Sequence, residues 1–164
     1  MIPVGVGFFM KIFEKSGFSL VELIIVVAII LIVSAIAAPY YVDYMAGLRL
    51  NGAARMVMSE LMAARQKAVS INQKVKVSIG SNHAYGIWND ADNNGTVADN
   101  EGDNIAMDIY PDYYDVTFGA SANPVFSSRG TSSVATVTLT SARTGRSKYV
   151  KVAITGRVKT DDTP

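Results

Sequence analysis

The chain has 164 residues, of which 49% are apolar, a net charge of +1 at pH 7 and no cysteine. The length suits one modest domain plus a separate segment. The balanced charge does not favour a polyanionic partner, and the lack of cysteine excludes disulfides, thiolate catalysis and zinc–thiolate sites. The mean hydropathy of +0.23 is high for a purely soluble domain, and the apolar excess is concentrated near the N-terminus.

The first predicted element is an apolar helix, Phe18–Ala38, which contains a single charge, Glu22. A helix of this length rises about 30 Å, which matches the hydrocarbon core of a bilayer. Lys11 and Lys15 precede the helix and favour a cytoplasmic N-terminus. The alternative is an ordinary secretory signal that is removed after the small residues at 34–38.

The residues around the start of this helix read KSGFSLVELIIVVAIILIVSAIAAP and resemble the type IV prepilin signature. The resemblance implies that a prepilin peptidase, which is also an N-methyltransferase, cleaves after Gly17 and methylates the new N-terminal residue, Phe18. The apolar helix then stays on the protein. Translation from either Met1 or Met10 would give a suitable leader.

This resemblance also implies a division of the chain into three parts. Residues 1–17 are the leader, residues 18–45 form a transmembrane and assembly helix, and residues 46–164 form a periplasmic or extracellular head. The protein is then expected to span the bacterial inner membrane once, with its head in the periplasm, before it enters a filament.

Glu22 and Pro39 interrupt the apolar pattern. A carboxylate inside a membrane costs about 2.5–3.5 kcal/mol, which predicts a function for Glu22. The resemblance implies that Glu22 pairs with the α-amino group of Phe18 on a neighbouring subunit during assembly. The alternative is a charge at the membrane edge. Proline kinks or breaks a helix, so Pro39 indicates either a bend that is used in the filament or the end of the membrane span.

A second, amphipathic helical stretch runs from Tyr40 to about Asn72, and its apolar stripe is expected to pack on a globular domain. The stripe comprises Leu48, Ala53, Met56, Val57, Leu61, Ala64, Ala68 and Ile71. The stretch NGAARMVMSELMAARQKAVSINQKVKVSI resembles the helix of GspH/FimT-type pseudopilins and minor pilins. The matching positions are Asn51, Ala54, Ser59, Leu61, Ala64, Arg65, Ala68 and Asn72.

The remainder of the chain alternates as β-strands do, with turn residues between the strands. Strands are predicted at residues 74–79, 84–88, 115–118, 134–139 and 149–154. Together with the resemblance, they predict an α+β fold in which a long N-terminal helix packs on a small antiparallel β-sheet head.

An acidic loop, DADNNGTVADNE, follows the second predicted strand and satisfies the spacing of a calcium-binding loop. Asp90, Asp92 and Asn94 would supply side-chain oxygens, Thr96 its carbonyl, and Glu101 a bidentate carboxylate. The flanking segments are strand-like, which differs from an EF-hand. The alternative to a calcium site is therefore a solvated acidic turn.

The last third of the chain is basic, and its charge permits two interpretations. Attraction between this basic block and the acidic loop of a neighbouring subunit can hold the subunits in register. Clustered basic residues can also bind phosphate, and Gly156–Lys159 is similar to a G-R-x-R/K segment of DNA-binding FimT-type minor pilins. The candidate DNA-binding residues are Arg146, Lys148, Arg157 and Lys159. The alternative is a solvated strand end.

The sequence contains no constellation that indicates an enzyme, because His83 is the sole histidine and no Gly-rich phosphate loop is present. The resemblance predicts a structural subunit of a type II secretion pseudopilus or a type IV pilus. Its expected partners are the prepilin peptidase, other pilins or pseudopilins, and the inner membrane. A DNA-receptor minor pilin and a major pilin are the alternatives.

Overall fold

The computed structural model describes residues 17–80, 82–92, 94–98, 101–102 and 105–163. Residues 1–16 of the predicted leader, with Lys11, Lys15 and both candidate start methionines, therefore lie outside the described residues. The chain divides into two compact units, and the boundary lies between Pro39 and Tyr40. Helix α1 (Leu20–Ile71) contains this boundary.

The second unit contains two four-stranded sheets in which all neighbouring strands are antiparallel. The first sheet has the order β3-β2-β1-β5 and the second the order β4-β6-β7-β8. The strands are β1 (Val75–Ile79), β2 (Ala84–Asn89), β3 (Ile105–Asp108), β4 (Val116–Ala120), β5 (Val125–Phe126), β6 (Ala135–Ser141), β7 (Ser147–Val152) and β8 (Val158–Asp161). The predicted α+β fold with one long helix and an antiparallel head is confirmed.

The core of the head lies between the sheets and one face of α1. The buried side chains of α1 are Ala46, Leu50, Ala53, Ala54, Val57, Leu61, Ala64 and Ala68. Their spacing of three or four residues is that of a single helix face. The prediction was wrong for Leu48 and Ile71, which are exposed. The stripe instead continues through Ala46 and Leu50, which stand one helical turn apart.

Burial in β6 alternates strictly, with Ala135, Val137, Leu139 and Ser141 inside. This pattern is what a strand with one buried face requires. All five predicted strands are present with shifted ends. The sequence did not predict β3, β5 or β8.

Helix α1 is followed directly by a residue in a left-handed conformation, since Asn72 has φ = 54°. The amide of Gln73 donates to the carbonyl of Ala68 over 3.2 Å, which closes the last turn of the helix. Asparagine tolerates this conformation better than other residues with a side chain. The chain therefore turns directly from α1 into β1.

A nearly buried ion pair fixes α1 against the start of β4. Arg49 donates from Nε and Nη2 to the two carboxylate oxygens of Asp115, over 2.6 and 2.9 Å. The guanidinium also lies 4.7 Å from the centre of the Tyr114 ring. The bidentate bond holds the pKa of Asp115 below its usual value and raises the pKa of Arg49.

Candidate functional site

The start of α1 is capped by Ser19, the second residue after the predicted cleavage position. The hydroxyl of Ser19 accepts a hydrogen bond from the backbone N–H of Glu22 over 3.2 Å. Glu22 thus lies in the first turn of the helix, where the dipole favours a negative charge. This cap was not predicted from the sequence, although a Ser followed three residues later by Glu is its usual signal.

Every residue from Gly17 to Tyr44 is exposed, although most are apolar. All the large apolar side chains between Phe18 and Ile36 are among them. Within the described residues, α1 is the one helix long and apolar enough to cross a membrane, judged by length and composition. A helix that is apolar on all sides needs lipid or other helices around it.

Pro39 stands inside α1, at the end of the first compact unit. Proline has no backbone N–H, so the carbonyl of Ala35, four residues earlier, lacks its usual donor. One backbone hydrogen bond of α1 is therefore missing beside Pro39.

The acidic loop begins with a buried carboxylate. Asp90 directly follows β2 and is only 2% exposed. Its Oδ2 accepts a hydrogen bond from the amide of Gly95 over 2.9 Å, whereas its Oδ1 is buried without a hydrogen-bond partner. Gly95 itself has φ = 88°, so a residue with a side chain would be strained there.

Two other predicted calcium ligands, Glu101 and Asp92, accept hydrogen bonds from backbone amides within the same loop. Glu101 accepts hydrogen bonds from the amides of Ala91 and Ala98 over 2.9 and 2.8 Å, and Asp92 accepts one from the amide of Asn94 over 3.0 Å. The last bond is the main reason that the pKa of Asp92 lies below its usual value.

One carboxylate oxygen from each of Asp90, Asp92 and Glu101 lies within 4.8 Å of the other two. The oxygen Oδ1 of Asn94 accepts from the amide of Thr96 over 2.8 Å. The structure therefore brings three of the five predicted calcium ligands, the carboxylates of Asp90, Asp92 and Glu101, close together.

Two of the four candidate DNA-binding residues are engaged by acidic side chains. Lys148 forms an ion pair with Asp162, and Lys159 with Asp161 over 2.9 Å. Lys151 also contacts Asp161, over 3.4 Å. The hydrogen bond from Lys159, followed by those from the Thr163 amide and Lys151, holds the pKa of Asp161 well below its usual range. The C-terminal aspartates thus neutralise part of the basic block.

The other two candidates, Arg146 and Arg157, are exposed but lie far apart. Arg146 precedes β7, and Arg157 precedes β8, which pairs antiparallel with β7. The two arginines therefore lie at opposite ends of β7, whose six residues span about 20 Å. The structure does not gather the four candidate residues into one cluster.

The glycine of the same segment has a structural role that the sequence analysis missed. Gly156 is buried, with φ = 73°, and an added Cβ would lie 1.9 Å from the carbonyl oxygen of Gly130. That oxygen accepts a hydrogen bond from Nε of Arg65 over 2.8 Å. Arg65, Gly130 and Gly156 thus link α1 to two loops of the head, beside an open groove of about 690 Å³ that Arg129 and Arg157 also line.

The family model described as type II transport protein GspH matches residues 53–156. The model described as prokaryotic N-terminal methylation motif matches residues 13–38.

Solved structures of pilin-like proteins have the same fold as this chain. The minor pseudopilin EpsH from the type 2 secretion system of Vibrio cholerae superposes with a TM-score of 0.54 at 11% identity, over 70% of this chain and 97% of that one. The type IV minor pilin FimU of Pseudomonas aeruginosa gives a TM-score of 0.54 at 16% identity, over 68% of this chain and 87% of that one.

Proposed function

Since the chain belongs to the GspH family of type II transport proteins, we propose that it is a structural subunit of a type II secretion pseudopilus or a type IV pilus. The observation that carries this proposal is the exposure of every residue from Gly17 to Tyr44. An isolated water-soluble protein rarely leaves so large an apolar surface uncovered. The inner membrane would cover this helix first, and the helices of other subunits would cover it in the fibre.

We propose that processing removes residues 1–17 and leaves a methylated Phe18 at the N-terminus. The methylation motif match to residues 13–38 supports this step, and a prepilin peptidase is the partner that it requires. Residues 18–45 would then form the assembly helix and residues 46–164 the head. The head would face the periplasm until the subunit enters the fibre. Family and fold are those of structural pilins and pseudopilins, not of enzymes.

Glu22 is the residue that we propose sets the register of assembly. After cleavage, the amino group of Phe18 lies one helical turn before Glu22, so neighbouring subunits can place the amine of one against the carboxylate of the other. A charge pair of this kind gains most where water is excluded, as it is in a packed helix bundle. The position of Glu22 in the first turn keeps the carboxylate at the end of the helix where this pairing is possible.

The test uses the full chain in a bacterium that carries the pilus or pseudopilus machinery. The mass of the mature protein should correspond to cleavage after Gly17 with one methyl group at Phe18. The variant Glu22→Val should be processed normally but should be strongly depleted in the sheared fibre fraction. Ser34→Val is the matched control, because it also replaces a polar residue of the apolar helix by valine.

Two outcomes would contradict these proposals separately. An uncleaved chain would refute processing at Gly17. Normal incorporation of Glu22→Val, or equal depletion of Ser34→Val, would refute the register role of Glu22.

DNA reception is not proposed, because Lys148 and Lys159 already pair with aspartates and Arg146 lies at the far end of β7 from Arg157.

A further inference from the structure

The geometry of the acidic loop fits a single divalent cation. One carboxylate oxygen from each of Asp90, Asp92 and Glu101 lies within 4.8 Å of the others. Calcium binds oxygen at about 2.3–2.6 Å, so two of its ligands on opposite sides of the ion stand about 5 Å apart. The three oxygens are therefore close enough together to contact the same ion.

A separate observation favours a cation site over a solvated acidic turn. Asp90 is only 2% exposed, and its oxygen Oδ1 is buried without a hydrogen-bond partner. A buried carboxylate oxygen without a partner is costly, since neither water nor a donor replaces its lost hydration. In a solvated turn, water would reach this oxygen. A cation between Asp90, Asp92 and Glu101 would compensate it.

We propose that this loop is a calcium site that joins β2 to β3. Side-chain oxygens of Asp90, Asp92 and Asn94, the carbonyl of Thr96 and the carboxylate of Glu101 would supply the ligands, at positions 1, 3, 5, 7 and 12 of the loop. Calcium suits this set better than magnesium, because it accepts more oxygen ligands in a less regular arrangement.

Two features of the loop prepare it for the ion. Val97 is 7% exposed, so an apolar side chain holds the middle of the loop against the head. The Glu101 carboxylate already accepts hydrogen bonds from the amides of Ala91 and Asp92, which brings the end of the loop over its beginning. Calcium would join Asp90, which directly follows β2, to Glu101, which lies four residues before β3. It would thereby stabilise β3, whose four residues are not buried.

The experiment uses the full chain in detergent, freed of metal with a chelator and titrated with calcium by calorimetry. Terbium luminescence gives a second measure, because Trp88 precedes Asp90 by two residues and can sensitise a bound terbium ion. We expect saturable binding of one ion per chain, in the range of about 0.1–1 mM that is typical of extracellular calcium modules. Magnesium should compete poorly.

Three variants decide the location of the site. Asp90→Asn and Glu101→Gln should each weaken binding by about tenfold or more, because each removes a charged ligand. Glu101→Gln remains informative if the buried Asp90 variant unfolds. Asp112→Asn is the matched control, since it removes the same charge from an exposed residue outside the loop, and it should bind as the unchanged protein does.

The proposal is overturned if calcium gives no saturable binding up to about 10 mM, tenfold above the weak end of the expected range. It is equally overturned if Asp112→Asn weakens binding as much as Asp90→Asn, which would indicate diffuse surface charge. Neither result affects the proposed role in fibre assembly, because the calcium loop and the assembly helix are assayed independently.

Discussion

Replacing Gly156 by alanine is expected to destabilise the head strongly, although the change adds one methyl group. The residue lies in the turn between β7 and β8, where its amide donates to the carbonyl of Ala153 over 2.8 Å. Its φ is 73°, and the new Cβ would lie 1.9 Å from the carbonyl oxygen of Gly130 and 2.9 Å from Nε of Arg65. Neither neighbour is a loose side-chain end, so the backbone must move.

Three costs contribute to the expected loss of stability. The left-handed conformation costs about 1–2 kcal/mol for a residue with a Cβ. Displacing a packed backbone costs about 1–3 kcal/mol. Separating the Arg65 guanidinium from the Gly130 carbonyl costs about 0.5–1.5 kcal/mol, because Arg65 is exposed and water can replace the lost partner. Since these costs overlap, we expect a decrease of about 3 kcal/mol in the free energy of unfolding, or roughly 10 °C in melting temperature.

Gly145→Ala is the matched control for this variant. Gly145 also has a left-handed backbone, with φ = 66°, but an added Cβ would meet nothing within 4 Å. It should therefore lose only the conformational cost of about 1–2 kcal/mol. Arg157→Ala, which changes the exposed neighbour of Gly156, should alter stability by less than about 0.5 kcal/mol.

The assay is thermal unfolding of the full chain in detergent, followed by tryptophan fluorescence. Trp88 is the single tryptophan and is 8% exposed in β2, so its emission reports unfolding of the head and not of the apolar helix. Equal losses for Gly156→Ala and Gly145→Ala would refute the steric argument. A loss for Arg157→Ala as large as that for Gly156→Ala would show that the arginine, and not the glycine, stabilises this turn.

Two further predictions concern the ion pair between α1 and β4. Arg49→Ala should lower the free energy of unfolding by about 2–3 kcal/mol in the Trp88 assay. This is somewhat below the cost of breaking a fully buried pair, because the Arg49 side chain is 18% exposed. A decrease under about 0.5 kcal/mol would contradict this expectation. The pKa of Asp115 is lower in the folded head than its usual value, so its contribution to stability is present above about pH 4 and is lost as the pH falls below that value. Stability should therefore fall less steeply between pH 5 and pH 3 in Asp115→Asn than in the unchanged protein, and parallel curves would be inconsistent with this assignment.

The sequence predicted those elements whose own residues carry a periodic pattern. The strict alternation in β6 and the helical stripe around Val57 and Leu61 are both found as expected. Strand β3 carries no such pattern, because none of its residues is buried, and β5 has only two residues. These strands form because β2 and β1 offer them an edge to pair with. A local pattern contains no information about such a neighbour.

The same distinction applies to the candidate sites. The proposed calcium loop could be predicted because all its candidate ligands lie within twelve consecutive residues, so their spacing alone describes the candidate site. The sequence indicates Gly156 only as a turn residue between strands and as part of the short basic segment, because its essential neighbours, Arg65 and Gly130, are distant in sequence. Its steric requirement depends on the folded arrangement of three separate segments, and no short motif can express it.

The division of the chain at Pro39 makes assembly and folding separable by experiment. Every described buried residue lies at Ala46 or beyond it, so the assembly helix contributes no buried side chain to the core of the head. We therefore expect a substitution at Glu22 to leave the melting temperature reported by Trp88 unchanged. Likewise, a change at Gly156 does not alter the apolar surface that other subunits would cover. If Glu22→Val left fibres depleted and also lowered the melting temperature of the head, the two units would be energetically coupled. We expect depletion with an unchanged melting temperature, which would place the defect in contacts between subunits.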